Sequence, residues 1–339
     1  MKERIQERNN KYIRSKRIPI ISFIWAFLWI SAMSPLPSSA EDSKTVSYKK
    51  CSPKQEAGDT CLLKPDKVRP TQANVGVLEV QCKYNKFTEK NGDEMGAYLD
   101  DWQHHVPTVI GPDGNFYITD HHHMTAALWL TQKQGQHTGR HLRIDVLKNF
   151  YDPDLKQPPT EQQMDSFWDY MEKNNFVYLR NNGSRITWHE LPTSISGLTD
   201  DPYRSQAGFQ KDDSLQGFIK PINNAMFFLE FKWGGLLRDH QVLAERLADI
   251  PSCRLSADKD DLWYNGKGSC ARQADLQQEK LAQSFRIITS ADAGKAMLPQ
   301  CMNSMEGVNQ LCGYNKNAAY PYPDGAEITH KCNIKAASD

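Results

Sequence analysis

The order of elements along the chain predicts an α+β fold: a small mixed sheet with helices, followed by a Cys-rich, mostly helical C-terminal extension. Three observations carry this. Val106–Leu130 reads as a strand, a Gly-Pro-Asp-Gly turn (111–114), a second strand at Phe116–Thr119 and then a helix. Thr160–Asn174 keeps helical spacing at Met164, Phe167, Trp168 and Met171, behind a Thr160/Gln163 capping box. Phe176–Leu179 and Arg185–His189 flank Asn181-Asn182-Gly183, the pattern of a β-hairpin around an Asn-Gly turn.

The first forty residues stand apart from the fold. Seven Lys and Arg between Lys2 and Arg17 form a long basic segment, Ile18–Met33 is apolar, and Ser38-Ser39-Ala40 supplies small residues for cleavage. This is the pattern of a secretory signal peptide, and the apolar run is short for a membrane span. An uncleaved anchor is the alternative reading. Cleavage leaves a periplasmic or secreted protein with no stable membrane association. Residues 1–40 carry seven of the 41 basic and two of the 41 acidic residues, so the remainder holds 34 against 39, a net charge of −5. That balance argues against generic DNA binding, which draws its affinity from a basic face.

All eight cysteines lie beyond residue 40. An even number in an exported chain reads as disulfides. Local pairing suggests Cys51–Cys61, Cys253–Cys270 and Cys301–Cys312, with Cys82 and Cys332 either paired or free. No C-x-x-C occurs, so neither a zinc knuckle nor a thioredoxin-type motif is present.

Residues 41–70 are polar and proline-bearing, an extended lead-in. The main domain spans 71–250. It opens with a strand at Val75–Val80, on which alternation places Glu79 and Lys83 on one face. A short helix follows at Asp93–Trp102, then the strand–turn–strand–helix unit, then a strand at His141–Val146. Leu198–Gly208 reads as a loop beginning Asp-Asp-Pro, and Ala225–Ile250 as largely helical. On that last segment Glu230 and Arg238 flank Trp233, an arrangement expected to be structural. The extension, 251–339, contains a helix near Ala271–Phe285.

The chemistry concentrates where the second strand of that unit meets its helix. Asp120 suits an N-cap, so His121, His122 and His123 fall in the first turn, where free backbone N–H groups and the helix dipole favour an anion. Asp120 is expected to orient a histidine, and His122 or His123 to act as general acid or base near neutral pH. Lys83 and Arg204 are expected to neutralise phosphate, Arg204 as a bidentate fork. Salt bridging by Glu79 and Lys83, and loop anchoring by Arg204 with Asp200 and Asp201, are the alternatives. A divalent metal is the one cofactor the pattern leaves open. Consecutive helical residues point about 100° apart, so the three histidines do not readily share an ion; His104 and His105 would supply further ligands.

Several ordered motifs resemble the ParB-like nuclease family, in its exported single-domain branch of the wider ParB/sulfiredoxin fold. They are V-G-V-L-E-V-Q-C-K (Val75–Lys83), V-I-G-P-D-G-N-F-Y-I-T-D-H-H-H (Val109–His123), F-W-D-Y-M (Phe167–Met171), D-D-P-Y-R-S-Q-A-G (Asp200–Gly208) and F-L-E-F-K-W-G-G-L-L-R (Phe228–Arg238). Members of the wider fold include a DNA-partitioning CTPase, a sulfinic-acid reductase and a free-serine kinase, and they share a strand-to-helix loop that holds nucleotide phosphates. The resemblance places Asp120–His123 on that loop, where they are expected to be the catalytic group, and Glu79, Lys83, Thr125 and Arg204 are expected as phosphate or substrate contacts beside it. His121 stands where the related motif has glycine. The resemblance implies a nuclease or phosphodiesterase acting on a phosphate-containing small molecule or nucleic acid. A non-catalytic module for a phosphorylated or nucleotide ligand is the alternative, with a nucleotide-dependent kinase beside it.

Overall fold

The computed structural model describes residues 47–154, 157–213 and 228–242, with two isolated residues, 283 and 287. The leader, the extension with its helix at 271–285, the Cys253–Cys270 and Cys301–Cys312 pairs, and the second half of the predicted 225–250 helix lie outside the described residues. Within the lead-in, Cys51 and Cys61 form the expected disulfide, and Cys82 is disulfide-bonded as well. Among the described residues no helix is long and apolar enough to cross a membrane.

Five strands form one mixed sheet: β1 (Thr60–Leu63), β2 (Val68–Pro70), β4 (Val106–Ile110), β5 (Phe116–Ile118) and β6 (Leu142–Asn149). Their order is β1-β6-β4-β5-β2, with β4 parallel to β6, β2 parallel to β5, and the other two pairings antiparallel. The period-2 alternation of the strands sends the two sides of the sheet into different cores. Val106, Ile110, Phe116, Ile118 and Ile144 pack with helices α1 (Val77–Thr88), α2 (Gly92–Asp100) and α3 (His122–Lys133). Val109 and Tyr117 join Phe167, Trp168 and Met171 of helix α4 (Glu161–Lys173).

The expected capping box of Thr160 with Gln163 starts α4, and a second, Asn91 with Glu94, starts α2. The Asn-Gly hairpin also forms, as β7 (Arg180–Asn181) and β8 (Ser184–Arg185). Its turn residues Asn182 and Gly183 have φ of 47° and 88°, as a type I′ turn requires.

The end of the segment read as an extended lead-in supplies both edge strands of the sheet, β1 and β2, and two further segments differ from the sequence reading. The strand expected at Val75–Val80 is only two residues long: β3 (Asn74–Val75) pairs with β9 (Thr199–Asp200), and the chain turns at Gly76 into α1. Val77, Val80, Gln81 and Phe87 then bury one helical stripe, a tertiary choice that overrides β-branched propensity. Glu79 and Lys83 thus share a face as an i,i+4 helical pair and not as strand neighbours. The second difference is Leu198–Gly208, read as a loop, which forms β9 and helix α5 (Pro202–Asp213). Asp201 accepts the N–H groups of Tyr203 and Arg204, both at 3.1 Å, with Pro202 at the first helical position. Helix α6 (Leu229–Asp239) crosses α5 closely: a Cβ on Gly234 would lie 2.9 Å from the Arg204 backbone nitrogen.

Candidate phosphate site at the start of helix α3

Asp120 is not the N-cap of α3. It is exposed, and its carboxylate accepts the His121 backbone N–H at 2.6 Å, so it touches the backbone and not an imidazole. The N-cap is His121, at φ 61° and ψ 23°. The turn from β5 into α3 takes only Thr119, Asp120 and His121, and it closes by putting His121 in the left-handed region. Glycine enters that region freely, whereas an L side chain there costs roughly 1–2 kcal/mol. This explains the glycine of the related motif, and it makes His121 a residue held against its own preference. No side chain caps α3, so its first-turn N–H groups are left to water or a ligand. The contrast with the doubly capped starts of α2 and α4 is direct.

His122 and His123 face inward. The Nε2 of His122 accepts the Thr71 N–H at 3.1 Å, and the Nε2 of His123 accepts the Gly76 N–H at 2.9 Å. Each ring therefore carries its proton on Nδ1. The His122 imidazole is driven down to about 3, by burial first and then by His121 and Arg204. His123 falls well below the ordinary histidine value, again by burial and then Arg204, with Glu79 opposing. Both rings are neutral near pH 7. They pin the Thr71–Gly76 segment to the start of α3, and they offer N–H groups and no positive charge. His121 is half-buried. Burial and the nearby Lys83 and His104 lower it, while Asp120 and Glu79 raise it.

Behind these rings lies a charged network joining α1, α3 and α5. Arg204, 4% exposed, donates from Nη1 to Glu79 Oε2 at 2.7 Å and lies over the Phe231 ring. Lys83 Nζ is 3.6 Å from the other Glu79 oxygen, and His123 Nε2 is 3.9 Å from the first. One carboxylate stands between two cations in this trio. Asp200 accepts the Val77 N–H at 2.9 Å and the Ser205 hydroxyl at 3.3 Å, tying the start of α1 to α5. Burial raises its carboxyl to about 7, helped by Asp201. Asp201 also accepts a hydrogen bond from Arg238 at 2.6 Å, the structural role expected for that arginine. Gly76 is required where α1 and α5 meet: a Cβ there would sit 2.9 Å from the Ser205 Cα. Thr125 lies one turn into α3, fully buried, with no hydrogen-bond partner for its hydroxyl oxygen.

The structure thus brings Glu79, Lys83, His121, His122, His123 and Arg204 together, sets Asp120 at the exposed rim and buries Thr125 beneath. Sequence reasoning gave Thr71 and Gly76 no role and treated Asp200 only as a loop anchor. The signal for Asp200 and Asp201 was present, because Asp-Asp-Pro is a cap followed by a proline at the first helical position. Among the described residues no group of three His, Cys, Asp or Glu is placed to hold a metal ion. With the Nε2 atoms of His122 and His123 already accepting N–H bonds, the site does not fit a divalent cation.

A solved structure similar to the chain is the crystal structure of protein Atu1540 from Agrobacterium tumefaciens. The match has 27% identity, covers 69% of this chain and 93% of that one, and has a TM-score of 0.46. No curated protein matches the chain. Residues 61–239, more than half of its 339, match the family described as "Putative ParB-like nuclease". Apart from Thr60 at the start of β1, every element from β1 to α6 falls within that span, and with it the whole candidate site: the chain belongs to the ParB-like nuclease family.

Proposed function

We propose that the chain binds a phosphate group of a nucleotide or nucleic acid at the start of α3 and cleaves a phosphoester there. The observation that carries this reading is the uncapped first turn of α3, flanked by Lys83 and by neutral imidazoles. Free N–H groups at a helix start, together with the helix dipole, make an anion site. Neutral imidazoles hold the Thr71–Gly76 segment to the helix start unchanged at any pH near neutrality. The roles differ from those expected along the run. His122 and His123 position the Thr71–Gly76 segment. His121, lowered below the usual histidine value but still reached by solvent, takes the proton. Lys83 offsets phosphoryl charge, and Arg204 acts through Glu79 as a positioning residue. Export by the basic and apolar leader belongs to the same proposal, and it favours hydrolysis over kinase chemistry, which needs a nucleotide triphosphate.

The test is incubation of the disulfide-intact chain with single- and double-stranded DNA and RNA, beside the His121→Gly variant. That variant removes the imidazole and relieves the left-handed backbone, so it folds at least as well as the parent. Turnover that disappears in His121→Gly supports the reading. Turnover that persists refutes the role of His121.

One observation favours a second reading, a binding module without turnover: the Nε2 atoms of His122 and His123 are both committed to backbone donors. Saturable nucleotide binding with no cleavage of any substrate would select it.

A further inference from the structure

Beside the α3 start lies a second element that the proposed chemistry has not used. Thr108 pairs with Ile118 across the antiparallel β4–β5 ladder, and the Thr119 N–H bonds to the Pro107 carbonyl at 2.8 Å. The chain that enters β4 runs beside the turn that leaves β5, and His104 stands near enough to His121 to act on its charge, as Lys83 and Glu79 do to Tyr98. Residues Trp102–His104 form a single 3-10 turn there. His104 Nδ1 lies 2.7 Å from the Tyr98 carbonyl, an acceptor only, so it must be the donor. Its ring stacks on Tyr98 with centroids 3.7 Å apart and planes at 21°. A backbone carbonyl on Nδ1 and a stacked ring fix the tautomer and leave the lone pair on Nε2, the arrangement of a proton-transferring imidazole. His105 is different, because its Nδ1 meets Asp145 at 3.1 Å and its Nε2 is buried. Trp102, in the same turn as His104, is 71% exposed, the only large apolar side chain exposed among the described residues.

We propose that the Trp102–His104 turn completes the site for single-stranded RNA, with His104 as the second catalytic imidazole beside His121 and Trp102 as the platform for an unpaired base. This rests on the reading of the α3 start as the phosphate site. Two imidazoles and a cation suffice for a substrate that carries its own nucleophile. His121 takes the proton from the ribose 2′-hydroxyl. The 2′-oxygen forms a bond to phosphorus while the P–O5′ bond breaks. His104, carrying a proton on Nε2, gives it to the departing 5′-oxygen. The products are a 2′,3′-cyclic phosphate and a 5′-hydroxyl, and no further reactant is consumed. His121 suits the base role, because burial and Lys83 favour its neutral form. An exposed indole suits an unpaired base, since every base has a face to stack. DNA lacks the 2′-hydroxyl and falls outside this chemistry.

The experiment compares an end-labelled single-stranded RNA with the DNA of the same sequence, in chelator, using the full disulfide-intact chain. RNA is expected to be cut to cyclic-phosphate ends and the DNA left intact. His104→Gln should lower kcat at least ~100-fold, with KM little changed. Trp102→Ala should raise KM ~10-fold with kcat held. Thermal unfolding checks that both variants fold. DNA cut as fast as RNA, or RNA cut by His104→Gln at the parent rate, overturns this proposal. The phosphoesterase reading survives that result if His121→Gly still abolishes the cutting. No cleavage of either polymer overturns both.

Discussion

Two regions of the molecule, the α4 core and the start of α3, are built from opposite materials. On the α4 face, Tyr117, Phe150, Phe167, Trp168 and Tyr170 meet edge-on or tilted at 4.9–5.5 Å between ring centroids, an aromatic core. At the α3 start, His122, His123, Arg204, Asp200, Asp201 and Thr71 are all buried polar or charged residues, each with named partners. Burying such groups costs free energy unless every one is satisfied, whereas aromatic burial stabilises directly. A fold that needed only stability would repeat the α4 face. The polar cluster at the α3 start is where the proposed chemistry is built at a cost in stability.

The largest expected effect separates these two materials through function. His121→Gly should reduce turnover by ~100- to 10,000-fold, the range for removing a general base, while raising the unfolding temperature or leaving it unchanged. Next come two substitutions of equal thermodynamic weight, one in each region. Phe167→Ala should cost ~3–5 kcal/mol by leaving a cavity, with activity per folded molecule intact. Arg204→Met should cost ~3–5 kcal/mol by leaving Glu79 buried beside His123, and activity should fall with it. Denaturant titration and turnover measured on the same samples check both. Equal activity losses would erase the comparison.

The pH dependence distinguishes the groups within the polar side. His122 is depressed to about 3, so its contribution is present above the unfolded value near 6.5 and is lost as pH falls toward 3. Asp200 has the opposite sign. Its folded value of about 7 lies above the ordinary 3.8, so its contribution is full in acid and is lost as pH rises through 7. Asp200→Asn keeps an acceptor for Val77 without the charge. Relative to the parent it should therefore gain stability, on the order of 2–4 kcal/mol, between pH 5 and pH 8. A flat difference across that range would contradict the burial of an ionisable carboxyl there. The smallest effect belongs to Thr160→Ala, which removes the α4 cap and should cost ~1 kcal/mol with no change at the site.

How much of this was legible in the sequence follows from which forces were local. The α4 cap, the I′ hairpin and the β4–β5–α3 unit all rest on residues within a few positions of one another, and their signatures read directly. The Asn91–Glu94 box of α2 is as local but had no place in the sequence reading. The α1 segment did not, because Val75–Val80 has strand-like composition and its helix is selected by burial against α3 and a cap from Asp200, 123 positions away. The histidine run read correctly as a special junction, but its internal division did not. Only the fold decides that the backbone of Thr71 and Gly76 takes up His122 and His123, while the left-handed turn leaves His121 half-buried at the helix start. Arg204 looked like a phosphate fork until Glu79, on another helix, claimed it.

The most direct test of the central claim is a titration of the isotope-labelled chain with inorganic phosphate, followed through the backbone amide resonances. Saturable shifts should concentrate on His122, His123 and Met124, the first-turn N–H groups of α3, with Lys83 beside them and the α4 amides unmoved. Shifts that fail to saturate, or that leave the α3 start untouched, would contradict the claim that this helix start is the phosphate site.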